Sequence, residues 1–329
     1  MQYNGVEIDM LSLGDADSLL VTNWESGRPT YILIDGGYAK DAPRVTRFLQ
    51  ARAVKKIHHL VCSHLDDDHA AGLLRLVHEG EFEVGCGWVH RPDLHVDMKI
   101  VTKNLEKTAA VCKESRIITA SLETQRGLAA ELIGRDIEVK EPFEGENIGF
   151  LKVLGPSEAY YEELVGRFGN PDQLRELLQE REKSAGFNEG RRVASLELLA
   201  DPEVNAGNLS STILGGLFGE SVLFFTGDAG AESLRRVLDY DNLAGCDWMQ
   251  IPHHGSINNI TQELVKFFKP RVAYVSAEGN DHHPHGAVIR AFKSAGTKVF
   301  STHHPNSGNL RRSMGDVPER GNYSPATPL

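Results

Sequence analysis

Residues 63–72 read SHLDDDHAAG, three consecutive carboxylates between two histidines, directly behind the apolar run KKIHHLVC. Like charges this close repel, and burying them unpaired costs several kcal/mol. A fold that carries the stretch must either expose it or set positive charge among the carboxylates. The plain reading is an exposed acidic helix start, because Asp near a helix N-terminus complements the backbone dipole. The chemical reading is a metal site. His64, Asp66, Asp68 and His69 form the pattern HxDxDH where a strand turns into a helix, and they supply nitrogen and carboxylate ligands of the kind that bind transition metals.

Two distant stretches favour the second reading. FFTGD places Asp228 at the end of a strongly apolar strand pattern, and IPHHGS places His253 and His254 at the end of another. One polar residue of ligand type at a strand end is common, whereas three strands that each end in such residues point to a shared centre.

Along the chain, VEIDMLSL, SLLVTNW and TYILID read as strands, DAPRVTRFLQARA as a helix and KKIHHLVCS as a buried strand, with AAGLLRLVHEG a helix leaving the acidic stretch. VGCGWVHRP, RDIEVKE, NIGFLKVLG, SSTILGGLF, SVLFFTGD, CDWMQIPHHG, RVAYVSAEG and TKVFST continue the strand pattern, with helices at MKIVTKNLEKTAAVCKES, AESLRRVLDY and HGAVIRAFKSAG. Strand runs in both halves separated by helices imply an α/β arrangement of two sheets with helices outside. Residues 158–200 change character to charged helical patterns and read as an insertion, and residues 306–329 have the composition of an irregular tail. Hydrophobic residues at 40% and charged residues at 25% are ordinary for a globular protein, so the 329-residue chain is expected to fold with a substantial core. The formal net charge of −11 argues against a broad nucleic-acid-binding surface, although a bound metal pair would reverse the sign locally. No apolar run approaches the roughly 20 residues of a membrane span, and MQYNGVEIDML lacks the basic flank of a signal peptide, so the expected location is the cytoplasm, away from the membrane. Cys62, Cys86, Cys112 and Cys246 stand singly and read as reduced, buried thiols.

LSLGDADSLLV, YILIDGG, SHLDDDHAAGL, the Asn-Ser element NLSS, LFFTGD, PHHGS and VSAEGNDHHP run in this order over nearly all of the chain. The set resembles the metallo-β-lactamase fold superfamily, in particular the hydrolase domain of ComEC-type competence proteins and their free-standing relatives. The resemblance implies a four-layer αββα sandwich of two mixed sheets with outer helices over residues 1–305. It also implies that His64 and Asp66 serve one metal and Asp68 and His69 a second. Asp228 would bridge both, and one of His253 and His254 would complete the second site. The superfamily's more familiar motif has His where this chain has Asp66, and that hard oxygen ligand shifts the expected pair of divalent ions from zinc alone toward manganese or mixed occupancy.

Many superfamily members supply a further histidine between the first motif and the bridging Asp. His90 and His95 lie in that interval outside any recognisable motif, so His90 reads as structural or surface, and the Asn-Ser element makes Asn208 and Ser210 or Ser211 candidates to face the site. Asp35 is expected to orient the metal-binding loop by hydrogen bonds without ligating. Asp15 and Asp17 read as a strand-end turn. His283, with Asn280 as companion, matches the family's Asn-x-x-His-Pro element, where a histidine can protonate a leaving group or hold a phosphate.

The implied reaction is hydrolysis by a metal-activated water, with Asp68 orienting the nucleophile as well as binding metal. Because the ComEC-like relatives look like nucleases, the expected substrate is a phosphodiester: single-stranded nucleic acid, DNA or a small nucleotide, with Arg191, Arg192, Arg311 and Arg312 as candidate contacts. The same-fold rival is a lactone, thioester or amide hydrolase with an apolar pocket under the insertion. A catalytically idle binding module would predict lost ligands, whereas every matched position is filled. The insertion and tail are where a protein partner would bind.

Overall fold

The computed structural model describes residues 3–109, 113–168, 204–240, 243–280, 282–303, 308–319 and 327–329. Two seven-stranded sheets stack face to face. The first contains β1 (Asn4–Met10), β2 (Leu19–Glu25), β3 (Arg28–Ile34), β4 (Lys56–Val61), β5 (Glu83–Trp88) and β6 (Glu138–Lys140), in that order, and β14 (Leu310–Asp316) lies outside β1. The second runs from β13 (Lys298–Ser301) through β12 (Val272–Val275), β11 (Trp248–Gln250), β10 (Ser221–Phe225), β9 (Ile213–Phe218) and β8 (Leu151–Gly155) to β7 (Asn147–Ile148). Each sheet is mixed. β3 through β6 are parallel and so are β10 through β13, while the remaining pairs are antiparallel.

Alternation along the strands builds the layers. Val6, Ile8 and Met10 of β1 face Val153, Leu223 and Trp248 of the other sheet and form the inner core. The outer face of the first sheet is covered by α1 (Ala42–Ala51), α2 (Asp67–Glu79) and, beyond the short α3 (Pro92–His95) and α4 (Met98–Ala109), by α5 (Lys113–Gly134). The outer face of the second is covered by helices at 231–236, 262–268 and 286–294. This is the expected αββα order.

The irregular tail expected from residue 306 is corrected over 310–316. There the chain pairs antiparallel with β1, and Arg311, directly opposite Asp9, donates from Nε to its carboxylate at 2.9 Å. Arg311 is therefore committed inside the fold and does not offer a nucleic-acid contact. Helices at 113–134 and 262–268 extend beyond the sequence expectation. Of the expected insertion, α6 (Glu158–Arg167) buries Tyr160, Tyr161, Leu164 and Val165, and residues 169–200, with Arg191 and Arg192, lie outside the described residues. Cys62, Cys86 and Cys246 are free and buried, as their spacing suggested, and Cys112 lies outside the described residues. Among the described residues no helix is long and apolar enough to cross a membrane.

Candidate metal centre

Every residue of the centre follows the carboxyl end of a parallel strand, where side chains from both sheets meet at one edge of the sandwich. Asp35 follows β3 with φ +59°, a left-handed turn that aims its carboxylate sideways at the next strand. There it accepts from the Ser63 backbone N–H at 2.8 Å and from the Ser63 hydroxyl at 2.6 Å, and its Oδ2 lies 2.8 Å from His69 Nδ1. The start of α2 is seated against this turn without side chains between. A Cβ on Gly72 would lie 1.9 Å from the Gly36 carbonyl oxygen, and Gly72 donates to the Gly37 carbonyl at 2.8 Å.

The acidic stretch does not work as a helix cap. Asp66 holds the N-cap position of α2 and makes no side-chain cap hydrogen bond; its Oδ2 faces His64 Nε2 at 3.6 Å instead. Asp67 turns away to accept from the Thr124 hydroxyl. Asp68 and His69 turn inward, with Asp68 Oδ2 3.6 Å from His69 Nε2.

Asp228, one residue beyond the left-handed Gly227 after β10, is buried between the histidines. Its Oδ1 lies 3.4 Å from His69 Nε2, and its Oδ2 lies 3.8 Å from His64 Nε2 and 3.7 Å from His253 Nε2. Past β11, His253 and His254 both adopt positive φ, +47° and +52°. Two consecutive left-handed non-glycine residues are costly backbone, of the kind stored at functional sites. The turn sends the two rings to different partners, His253 toward Asp228 and His254 to within 3.2 Å of Asp68 Oδ2.

The outward nitrogens of all four imidazoles are held. His64 Nδ1 meets the Ser63 hydroxyl at 3.1 Å, His69 Nδ1 meets Asp35, His253 Nδ1 meets Asn259 Oδ1 at 2.9 Å, and His254 Nδ1 meets the Ser276 carbonyl at 3.2 Å. Each ring therefore turns Nε2 to the carboxylates, and a cation that displaced the proton there would meet an imidazole already held in its ligating orientation. His64 Nε2, His69 Nε2 and Asp228 Oδ1 are buried without a hydrogen-bond partner, and ligand atoms of Asp68, His69, Asp228 and His254 lie within 4.8 Å of one another. Buried polar atoms rarely stay orphaned, so this donor set fits divalent cations.

The electrostatics agree. Burial pushes the imidazoles down, yet Asp228, Asp68 and Asp35 hold His69 well above the ordinary range, and Asp228, Asp68 and Asp17 bring His254 up to about 9. Burial pushes the Asp68 carboxyl up, but His69 and His254 bring it down to about 2, and Asp228 lies well below the usual carboxylate range for the same kind of reason. The cleft thus demands positive charge, which accounts for Asp66 and Asp68, while Asp67 is relieved by turning out to Thr124.

Asn208 reaches this layer, its side-chain amide 3.0 Å from His253 Nδ1, and the Ser211 hydroxyl accepts from the Asp228 backbone N–H at 3.2 Å. Ser210 does not: its hydroxyl donates to the Gly207 carbonyl at 2.6 Å and serves the local turn, a correction to its expected place at the site. His283 stands at the mouth, its ring centroid 5.6 Å from that of His253 and 5.7 Å from that of His254. Asn280 fixes that loop by accepting the backbone N–H groups of His282 and His283 at 2.8 Å. His90 stays outside the centre, stacked on Tyr161 with ring centroids 4.3 Å apart, and burial pushes it down to about 3.

Asp15 and Asp17 do more than turn a strand. Asp15 Oδ2 lies 3.3 Å from His283 Nδ1 and accepts from Asn280 Nδ2 at 2.7 Å. Asp17 is buried, accepts from Gln250 Nε2 at 2.7 Å and from the Ser276 hydroxyl, and so braces the loops that carry His253 and His254. Asn259 and Ser276 were likewise not anticipated. Two carboxylates in one short loop, LGDADS, were the available signal for the first pair; Asn259 and Ser276 carry none that distinguishes them from ordinary loop residues.

Comparison with known proteins bears on this centre. A family model described as the metallo-beta-lactamase superfamily matches residues 14–279. The ComE operon protein 3 of Bacillus subtilis (strain 168) is 24% identical over 318 residues, which cover 90% of this chain and 32% of that protein, so the chain spans about a third of the length of this curated relative. Among solved structures, the metallo-beta-lactamase fold protein YhfI from Bacillus subtilis aligns at 10% identity with a TM-score of 0.45, covering 94% of this chain and 100% of that one. An E377D mutant of CmlA beta-hydroxylase aligns at 16% identity with a TM-score of 0.43, covering 94% of this chain and 54% of that one.

Proposed function

The chain belongs to the metallo-β-lactamase superfamily, whose members are generally metal-dependent hydrolases, and on that premise we propose that it is a binuclear phosphodiesterase acting on single-stranded DNA or a small nucleotide phosphodiester. The observation that carries the reading is the division of the donor set by Asp228, whose two carboxylate oxygens face different histidines. His64, Asp66 and His253 would hold one cation with Oδ2, and Asp68, His69 and His254 the second with Oδ1. Zinc and manganese both suit these nitrogen and oxygen ligands. Bound there, two divalent cations supply a nucleophilic water at neutral pH and stabilise charge developing on the phosphoryl group.

The chain's own residues do the rest. Asp68, partly open to solvent between His69 and His254, orients the attacking water. His283, with Nδ1 held by Asp15, presents Nε2 to the leaving oxygen and gives it a proton as the phosphorus–oxygen bond breaks. Resemblance to ComEC-type hydrolase domains supports the phosphodiester over the ester, and the filled ligand positions speak against an idle module.

The test is hydrolysis of bis-p-nitrophenyl phosphate and of labelled single-stranded DNA by metal-stripped protein with Mn²⁺ or Zn²⁺ restored, beside Asp68→Ala. Cleavage that needs metal and disappears in the variant is expected. Two bound metals per chain without cleavage of either substrate would overturn the phosphodiesterase reading in favour of lactone, thioester or amide substrates.

A further inference from the structure

Beside the His283 loop lies a cavity of about 620 Å³ whose walls include Asn280, Gly286, Arg290, Lys293 and His303. Its size is that of a small-ligand site, for which 300–1,000 Å³ is typical. Asn280 and Pro284, which flank His283, line it, and a Cβ on Gly255, next to His254, would lie 2.8 Å from Pro284, so the cavity adjoins the loop that carries the proton donor. Helix 286–294 also lines it and carries both cations. Arg290 is not simply splayed into solvent. Its Nη1 lies 3.1 Å from where a Cβ on Gly286 would stand, so the guanidinium folds back along the helix toward the His283 loop, over a position that a side chain would fill. Gly279, with φ +80°, similarly lets the His303 ring lie against the backbone, 2.2 Å from the point a Cβ would occupy.

The charge of this wall stands against that of the chain, in which 46 acidic residues outnumber 35 Lys and Arg. Arg290 and Lys293 are exposed, and neither forms an ion pair among the described residues. An arginine and a lysine one helical turn apart make a planar donor fork and a point charge suited to a phosphate. A neutral ester substrate would have no use for them.

We infer that this cavity is the subsite for the nucleotide next to the scissile phosphodiester, with Arg290 and Lys293 holding its phosphate while the scissile group lies at the metal centre. The inference rests on the phosphodiesterase reading for the chemistry of its ligand, but binding tests it without catalysis. A fluorescently labelled single-stranded oligonucleotide is titrated against the metal-free protein of residues 1–329, wild type and the Arg290→Gln/Lys293→Gln variant, with Arg290→Lys/Lys293→Arg as a charge-keeping control. The Gln variant is expected to bind about tenfold more weakly, with a plot of log affinity against log salt shallower by roughly 0.7 for the one lost single-strand phosphate contact. The control should keep most of the affinity and the steeper slope. With Mn²⁺ restored, the preference for the oligonucleotide over bis-p-nitrophenyl phosphate should fall by a similar factor. Equal affinity and equal salt slope for wild type and the Gln variant would overturn the subsite even if the enzyme cleaves DNA. Loss of cleavage of both substrates in wild type, with the binding difference intact, would overturn the phosphodiesterase reading and leave the anion site standing.

Discussion

At the scale of single residues the centre is governed by which nitrogen each histidine turns inward. Asp35, Ser63, Asn259 and Ser276 hold the Nδ1 atoms, so the ligating face is fixed before any cation arrives. Asp35→Asn removes the charge behind His69 while nearly keeping its shape. Metal affinity is expected to fall about 10–100-fold with the fold intact, read by competition with a chelator of known affinity. Asp228 should behave differently because both halves of the donor set share it. Asp228→Asn is expected to take the stoichiometry from two metals per chain to fewer than one, whereas His253→Ala and His254→Ala should each leave close to one, read by elemental analysis after dialysis. A single metal lost from His254→Ala and none from His253→Ala would mean that His253 is not a ligand.

At the scale of elements, the approach of α2 to the turn after β3 decides where His69 sits. Gly72→Ala would drive a methyl group into the Gly36 carbonyl, where both neighbours are backbone. Overpacking of this kind costs about 1–3 kcal/mol, and urea unfolding should show at least that loss together with weaker metal binding. A second element is anchored by one imidazole. His95 on α3 meets Glu141 at 2.9 Å and, across to α6, Glu162 at 3.4 Å and Glu158 at 3.6 Å. Burial pulls His95 down, but these carboxylates more than reverse it, so its pKa is raised. A raised folded value means that the protonated ring stabilises the docked helix. That contribution is complete below the ordinary histidine pKa near 6.5 and is lost as pH rises through the higher folded value. Amide exchange in 158–167 is therefore expected to quicken with pH beyond its intrinsic dependence, and His95→Gln should abolish that extra rise.

At the scale of the whole molecule, the centre joins two sheets that otherwise meet through their apolar faces. His64, Asp66, Asp68 and His69 come from the first, and Asp228, His253 and His254 from the second. Metals that bind only the folded state add stability by mass action, about 2.7 kcal/mol at a free concentration of 100 times the dissociation constant. Chelation should accordingly lower the melting temperature, and lower it less in Asp228→Asn. The first sheet also depends on the far end of the described chain. Asp9 is buried between Arg52 and Arg311, the latter brought by β14, and removing one partner of a buried charge pair costs about 3–5 kcal/mol when no other remains. Since Arg52 stays, Arg311→Ala should fall at or below the low end of that range in urea unfolding, while a chain ending at residue 305 should be much less stable and aggregate through the bared edge of β1.

The strand ends that carry His64 to His69, Asp228 and His253–His254 were legible because each is a local event, an apolar run that stops at residues which have no place in a core. Their chemical type is read from the residues themselves, and the mixed α/β class from strand runs that alternate with helical spacing. The sharing of roles was not legible. LRRSMGD has no alternation that marks a strand and becomes β14 only because Leu310 and Arg311 meet Met10 and Asp9. Asp17 reads as a turn residue until Gln250 and Ser276, more than two hundred residues away, bond to it. His253 and His254 are equivalent neighbours in PHHGS, and only a backbone held at positive φ by the second sheet sends one ring to Asp228 and the other to Asp68. The sequence by itself determined which groups this protein brings to its centre, because strand periodicity and ligand type are local properties. The tertiary structure alone decided which atom faces which, because that depends on contacts between segments whose separation along the chain no local pattern records.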